Sequence, residues 1–253
     1  MVKQLYSIPL FFFLICFSGL LIAQESEKEN DFQIIFNGKD LTNWEGDSTY
    51  WRVENGCLVG EVLPETLLKQ NSFIIWKGGT VADFELKLEY RVSNLGNSGI
   101  NYRSQWIDTL PYALKGYQAD LDGRNKYTGQ NYDERKRTIL AFRGQKVQVY
   151  SQPEGESMAQ NVTRNVWQST QLLKDLGGLD SLGTFVKKGE WNTYYIIARG
   201  NRLQHYVNGV LMSDVIDDDI VNRSFEGLLG VQVHVGPPMK IEYRNIRLKT
   251  IGR

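Results

Sequence analysis

Two stretches of this 253-residue chain alternate apolar side chains with groups able to bind hydroxyls or move protons. In residues 116–123 (GYQADLDG) a two-residue period sends Tyr117, Ala119 and Leu121 to one side and Gln118, Asp120 and Asp122 to the other. In residues 227–235 (GLLGVQVHV) it sends Leu229, Val231, Val233 and Val235 inward and Gly230, Gln232 and His234 outward. A strand facing bulk water more usually carries Lys, Glu and Thr. Carboxylates two strand steps apart, about 7 Å, can divide roles, one kept protonated by burial and the other ionised. An imidazole with one ring nitrogen held by a neighbour can donate or accept a proton near neutral pH. The alternatives are an acidic strand that faces water or binds calcium, and a histidine that is only structural.

Further candidates flank these strands. In residues 97–103 (NSGINYR), Asn101 and Arg103 fall on the face opposite Ile100 and Tyr102. Arg103 can fork onto a carboxylate or sugar oxygens, or serve in a salt bridge. Residues 132–137 (YDERKR) form a dense polar cluster before a strand, in which Tyr132 and Glu134 are site candidates if it is more than a solvated turn. Trp106 is placed to stack on a sugar, whereas Trp44, Trp51 and Trp76 read as core. Residues 217–219 (DDD) read as a solvated loop, with calcium as the alternative. The mature chain offers only His205, His234 and Cys57 as soft ligands, so a His-rich zinc site cannot be assembled. Without a GxSxG, P-loop or dinucleotide fingerprint, no cofactor is expected.

The elements that must position these groups are short strands. Apolar alternation with Gly-centred breaks recurs at 33–36, 51–53, 58–59, 73–76, 84–92, 99–103, 116–122, 138–142, 147–150, 193–199, 203–207, 228–235 and 239–248. This predicts an all-β sandwich or barrel. Asn208-Gly209, Gly200-Asn201 and Gly144-Gln145 read as hairpin turns, giving an antiparallel meander. A phase change between Tyr243 and Ile246 predicts a bulge near Arg244-Asn245. Residues 154–183 lack strand pattern and suit a short helix or a loop over the sheet.

Equal numbers of acidic and basic residues give zero formal net charge, so no electrostatic argument favours nucleic acid or an anionic membrane. Lys3, the apolar run 8–22 and Ala23 before Gln24 read as an export signal over residues 1–23, too short to favour a permanent span. Ile15 before Cys16 is not the small residue of a lipoprotein signal. A charged tether over 24–31 and a single domain over 32–253 follow. The remaining Cys57 excludes an internal disulfide and reads as a small core residue. An exported, disulfide-free chain fits a bacterial periplasm or cell surface. Asn161-Val162-Thr163 and Asn222-Arg223-Ser224 match glycosylation acceptors, which carry no meaning in most bacteria.

Many of these segments resemble the 3-keto-disaccharide hydrolase family. The resemblance rests on Phe36-Asn37-Gly38-Lys39-Asp40-Leu41 with Trp44, then Trp51-Arg52-Val53-Glu54-Asn55-Gly56 and Asp83-Phe84-Glu85-Leu86. It continues through Asn97-Ser98-Gly99-Ile100 with Arg103, Gly116-Tyr117-Gln118 with Asp120, and Tyr132-Asp133-Glu134 with Arg135 and Arg137. Trp191-Asn192, Asn208-Gly209, Gln232 with His234, and Arg244-Asn245-Ile246 complete it. It implies a concanavalin-like jelly-roll β-sandwich, exported by bacteria that degrade glycans or oxidised glycosides.

The implied chemistry follows from a keto group at C3, which acidifies the C2 proton. A base then removes that proton while an acid assists departure of the C1 oxygen. Asp120 or Glu134, with His234, can supply base and acid, and Arg103 or Gln232 can steady the developing enolate. Gln118, Asp122, Asn101, Tyr132 and Trp106 are the expected sugar contacts. The chain departs from laminarinase-type jelly rolls, whose strand reads Glu-x-Asp-x-x-Glu. Here it reads Gln118-Ala119-Asp120-Leu121-Asp122-Gly123, with an amide first, which disfavours a retaining two-carboxylate glycosidase. Relatives often carry Glu at position 118. The competing functions are a non-catalytic sugar-binding module and an ordinary glycoside hydrolase.

Overall fold

A computed structural model describes residues 31–252. The expected export signal lies outside the described residues, as does the tether apart from Asp31. The first strand, β1 (Gln33–Ile34), is two residues long. Two mixed sheets follow. The one that carries the site runs, edge to edge, β12 (Val162–Thr163), β13 (Val166–Trp167), β10 (Thr138–Ala141), β9 (Asn131–Glu134), β8 (Leu114–Asp122), β7 (Asn97–Trp106), β18 (Leu228–Val233), β5 (Ser72–Trp76) and β2 (Trp44–Glu45). The supporting sheet runs β14 (Thr170–Asp175), β11 (Gln145–Val149), β17 (Val210–Asp217), β16 (Arg202–Val207), β15 (Asn192–Arg199), β6 (Phe84–Val92), β19 (Met239–Thr250), β4 (Cys57–Val62) and β3 (Trp51–Glu54).

Period-two burial explains why the sheets stack. Along β6 buried and half-buried residues alternate without a break, the signature of a strand with one face in the core. Ile100, Ala119, Leu121, Val231 and Val233 from the site sheet join Leu86, Leu88, Ile196, Leu203 and Ile241 from the supporting sheet in one apolar core. Trp44, Trp51 and Trp76 belong to it, and Cys57 is buried with a free thiol. This is one of the two architectures, sandwich or barrel, that the strand pattern predicts, and it is the jelly-roll sandwich that the family resemblance implies.

Several local expectations hold. Asn208 and Gly209 both take positive φ, 49° and 80°, in the turn joining β16 to β17. The register of β19 against β6 shifts between Arg244 and Arg247, with Asn245 at φ 53°, so the bulge is real.

Others need correction. Gly144 sits in a crossover, because β10 lies in the site sheet and β11 in the supporting one. Its amide donates to Met212 O and its φ is 94°, so the positive-φ residue serves a change of sheet. The meander is not wholly antiparallel either: β11 pairs parallel to β17, and β10 to β13. Residues 154–183 contain β12, β13 and β14 as well as the short helix α1 (Leu179–Gly183). Residues 217–219 do not form a solvated loop. Asp217 and Asp219 are buried because Arg137 lies between them, 2.8 Å from Asp217 Oδ2 and 3.1 Å from Asp219 Oδ2.

Candidate active site

The outer face of the site sheet is polar where β7, β8, β9 and the end of β18 meet. Register sets this face. Asn97 pairs with Asp122, Gly99 with Asp120, Asn101 with Gln118, and Gln118 with Tyr132, so these positions share the side opposite the core. A Cβ at Gly99 would lie 2.4 Å from the Gln118 side chain, so glycine there leaves the room that Gln118 fills. A cleft of about 460 Å³ opens over this patch, lined by Asn71, Gln118, Asp120, Gln130, Glu134 and His234 among others.

Asp120 has little contact with solvent and accepts a short hydrogen bond from Gln130 Nε2. Burial pushes its carboxyl well above the usual carboxylate range, with Glu134 and Asp122 adding repulsion against Gln130's opposing donor. Burial raises Glu134 too, while the Asn71 amide, 3.1 Å away, and the Arg135 guanidinium, 3.7 Å away, pull it back. Tyr132, between them on β9, is pushed up to about 12, by burial first and then by both carboxylates. Its hydroxyl donates to Asn165 Oδ1.

His234 follows β18 and lines the same cleft. Its Nδ1 lies against Val235 O, an acceptor, so Nδ1 carries the proton and Nε2 keeps its lone pair. Burial lowers the imidazole's pKa, outweighing that hydrogen bond, and keeps the ring neutral. Asn71 ties this corner together: its Oδ1 accepts from Val235 N while its Nδ2 donates to Glu134.

The geometry therefore gathers Gln118, Asp120, Tyr132, Glu134 and His234, five of the residues expected from the sequence. The others go elsewhere. Arg103 leaves the site face because the β7–β8 register slips after Tyr102 and Arg103 takes φ 46°. Its guanidinium donates to Ala82 O and Gly200 O and pairs with Asp83 at 3.0 Å. Trp106 packs on the Phe73, Ile75 and Leu114 cluster, away from the cleft lining. Asp122 turns its carboxylate to the backbone amides of Arg124, Lys126 and Tyr127. Asn101 and Gln232 keep the expected face but are buried, Asn101 accepting from Gln118 at 3.0 Å. Asn101 Nδ2 and Gln232 Nε2 are buried donors with no hydrogen-bond partner among the described residues, and neither residue lines the cleft.

Asn71, Gln130, Tyr127 and Arg135 were not singled out as site residues by the alternation. Arg135 now supplies the cation at the cleft that Arg103 was expected to give. Beneath the sheet, His205 links to this layer: its Nδ1 donates to Gln130 O, and Tyr102 OH donates to its Nε2 at 2.8 Å. Burial pushes His205 down to about 3, so it is neutral.

The sandwich and its polar outer face define a concanavalin-type jelly roll of the kind found among sugar-binding and sugar-cleaving proteins. The chain belongs to the family of the 3-keto-alpha-glucoside-1,2-lyase-like domain, whose pattern matches residues 31–249, and it is accordingly a carbohydrate-active, glycosyl-hydrolase-like protein. Among curated proteins none matches the sequence. Its fold is similar to that of a proposed glycosyl hydrolase from Parabacteroides distasonis, at 20% identity and TM-score 0.54, over 90% of this chain and 97% of the other. A carbohydrate binding module, CBM66, from Bacillus subtilis shares the fold at 13% identity and TM-score 0.50, over 82% and 96%. So does a galectin-like protein of unknown function from Bacillus subtilis, at 10% identity and TM-score 0.51, over 87% and 98%.

Proposed function

We propose that this protein cleaves the glycosidic bond of a 3-keto glycoside by elimination across C1 and C2. The observation that carries the reading is the pairing, in one cleft, of a neutral imidazole with a lone pair at Nε2 and a carboxyl pushed toward its protonated form. These are the two states that a base and an acid need before reaction.

His234 Nε2 takes the C2 proton, whose acidity comes from the neighbouring ketone. The C–H electron pair becomes the C1–C2 double bond as the C1–O bond breaks, and the departing oxygen takes the proton of Asp120. Arg135 and the amides of Asn71 and Gln118 are the donors available to the C3 oxygen and the ring hydroxyls as charge develops. Water adding across the double bond afterwards yields the free 3-keto sugar, the net result of hydrolysis. An export signal over residues 1–23 would set this work in the periplasm or on the cell surface.

One observation favours a second reading. Glu134 stands opposite Gly116, four residues along β8 from Asp120, so the two Cα atoms are roughly 14 Å apart by strand geometry. Both carboxyls nonetheless line one cleft, and two carboxyls facing one cleft are the parts an ordinary glycosidase uses on an unoxidised sugar. Purified protein supplied with matched oxidised and unoxidised disaccharides in deuterated water separates the readings. The proposal expects cleavage of the oxidised sugar alone, giving an unsaturated ketone or, after hydration, deuterium at C2. Cleavage that keeps the C2 hydrogen would overturn elimination. Turnover of the unoxidised sugar would favour the glycosidase, and binding without turnover a sugar-binding module.

A further inference from the structure

Resting on that reading, we infer that the cleft continues into a second arm that receives the leaving group, and that this arm selects leaving groups carrying negative charge. A cleft of about 250 Å³ adjoins the first and shares three of its lining residues, Asn97, Tyr127 and His234. His234, the proposed base, thus stands at the junction, where the scissile bond must lie. A sugar in the first arm leaves its aglycone nowhere better to go than the second.

The two arms differ in charge. The first sets Glu134 against its one cation, Arg135, beside a protonated Asp120, and so gives an anion no net pull. The second is lined by Arg124 and Lys126, both exposed, with Asp122 as its carboxylate. Asp122 offsets one of the two cations and leaves the arm net positive, and its oxygens accept from the backbone amides of Arg124 at 3.3 Å, Lys126 at 2.6 Å and Tyr127 at 3.4 Å. Those same bonds fix the turn that presents the two cations. Arg143 grips the turn from its other side, donating to Asn125 Oδ1 at 2.7 Å and Thr128 O at 3.0 Å. The Lys126 ammonium lies 5.1 Å from the Tyr127 ring centre, which keeps it beside the junction. A uronate or a sulfated sugar is the leaving group this arm fits.

The test compares three 3-keto disaccharides of one linkage whose leaving sugars are neutral, uronate and 6-sulfated. The expected ratio of kcat/KM, acidic over neutral, is about three- to tenfold in the parent, in keeping with exposed charge pairs, and it falls as salt is added. It drops to about one in the Arg124→Ala/Lys126→Ala double variant and inverts in Arg124→Glu/Lys126→Glu. A preference for only one of the two acidic sugars identifies which anion the arm takes. Turnover of the neutral substrate with no acidic preference, or a preference that survives both double variants, overturns this inference and leaves the proposed reaction standing. Turnover of none of the three overturns the proposed reaction and the inference with it.

Discussion

Strand β9 carries buried carboxylates on both of its faces, and the two faces treat them oppositely. Asp133 points into the sandwich and meets Arg137 Nε at 2.6 Å, and the same guanidinium holds Asp217 and Asp219 from the supporting sheet side. Burial works against the charge of Asp219, yet Ser151, Asn222 and Arg137 outweigh it and hold its carboxyl below the usual range. One residue later, Glu134 points into the cleft with an amide for its close partner and a cation only at 3.7 Å, and Asp120 across the sheet has an amide alone. Those two carboxyls are pushed up. Buried acids with a guanidinium at contact distance are fastened and inert. Buried acids supplied mainly with amides sit where a proton can be won or lost, which is the use proposed for them.

The largest expected effect falls on the cleft side. Asp120→Asn and His234→Ala should each lower turnover of a 3-keto glycoside by roughly two to four powers of ten, while calorimetric sugar affinity changes far less. Wild-type turnover in both variants would move the acid–base roles to Glu134. On the core side, Arg137→Met leaves three carboxylates without their counter-ion and should cost about 3–5 kcal/mol in urea unfolding. A loss under 1 kcal/mol would erase the contrast between the faces.

A smaller change sharpens it. Gln130→Ala removes the donor on Asp120 while leaving the backbone carbonyl that His205 uses, and turnover should fall about tenfold with KM little altered. The rate profile should be a bell, its acid limb set by protonation of His234 below the usual imidazole range and its alkaline limb by loss of the Asp120 proton.

The smallest effect is on stability. Asp120's pKa is higher folded than unfolded, so its contribution is present below the unfolded value near 3.8 and is lost as pH rises through the folded one. Asp120→Asn should therefore melt above the parent at pH 8, with the gain shrinking toward pH 4. An equal gain at both would show that desolvation of the charge is not the cause. His205 carries the opposite sign: its stability is present above 6.5 and fades as pH falls toward about 3.

Alternation made half of this site legible. Gln118, Asp120 and His234 keep a two-residue phase with apolar neighbours, Tyr132 and Glu134 stood out as a polar cluster before a strand, and sheet register gathers them. Arg103 misled because a bulge after Tyr102 breaks the period just where the pattern was extended to it. The acids at 217–219 misled because their partner, Arg137, lies 80 positions from Asp217 in the chain. Asn71 and Gln130 carried no signal: one precedes a strand, the other closes a turn, and each acts through tertiary contacts. Gly144 was legible as a positive-φ residue, but a turn residue does not say whether the chain doubles back or changes sheet.

The turn 123–130 divides its labour along its length. Its last residue holds Asp120 and touches the buried histidine, Asn125 and Thr128 anchor it to Arg143, and Arg124 and Lys126 join the framework through their backbone amides while their side chains stay exposed. Residues at those two positions can be exchanged without loosening the acid behind them. An engineer wanting the same chemistry on a different aglycone would randomise two codons and leave the rest of the gene alone.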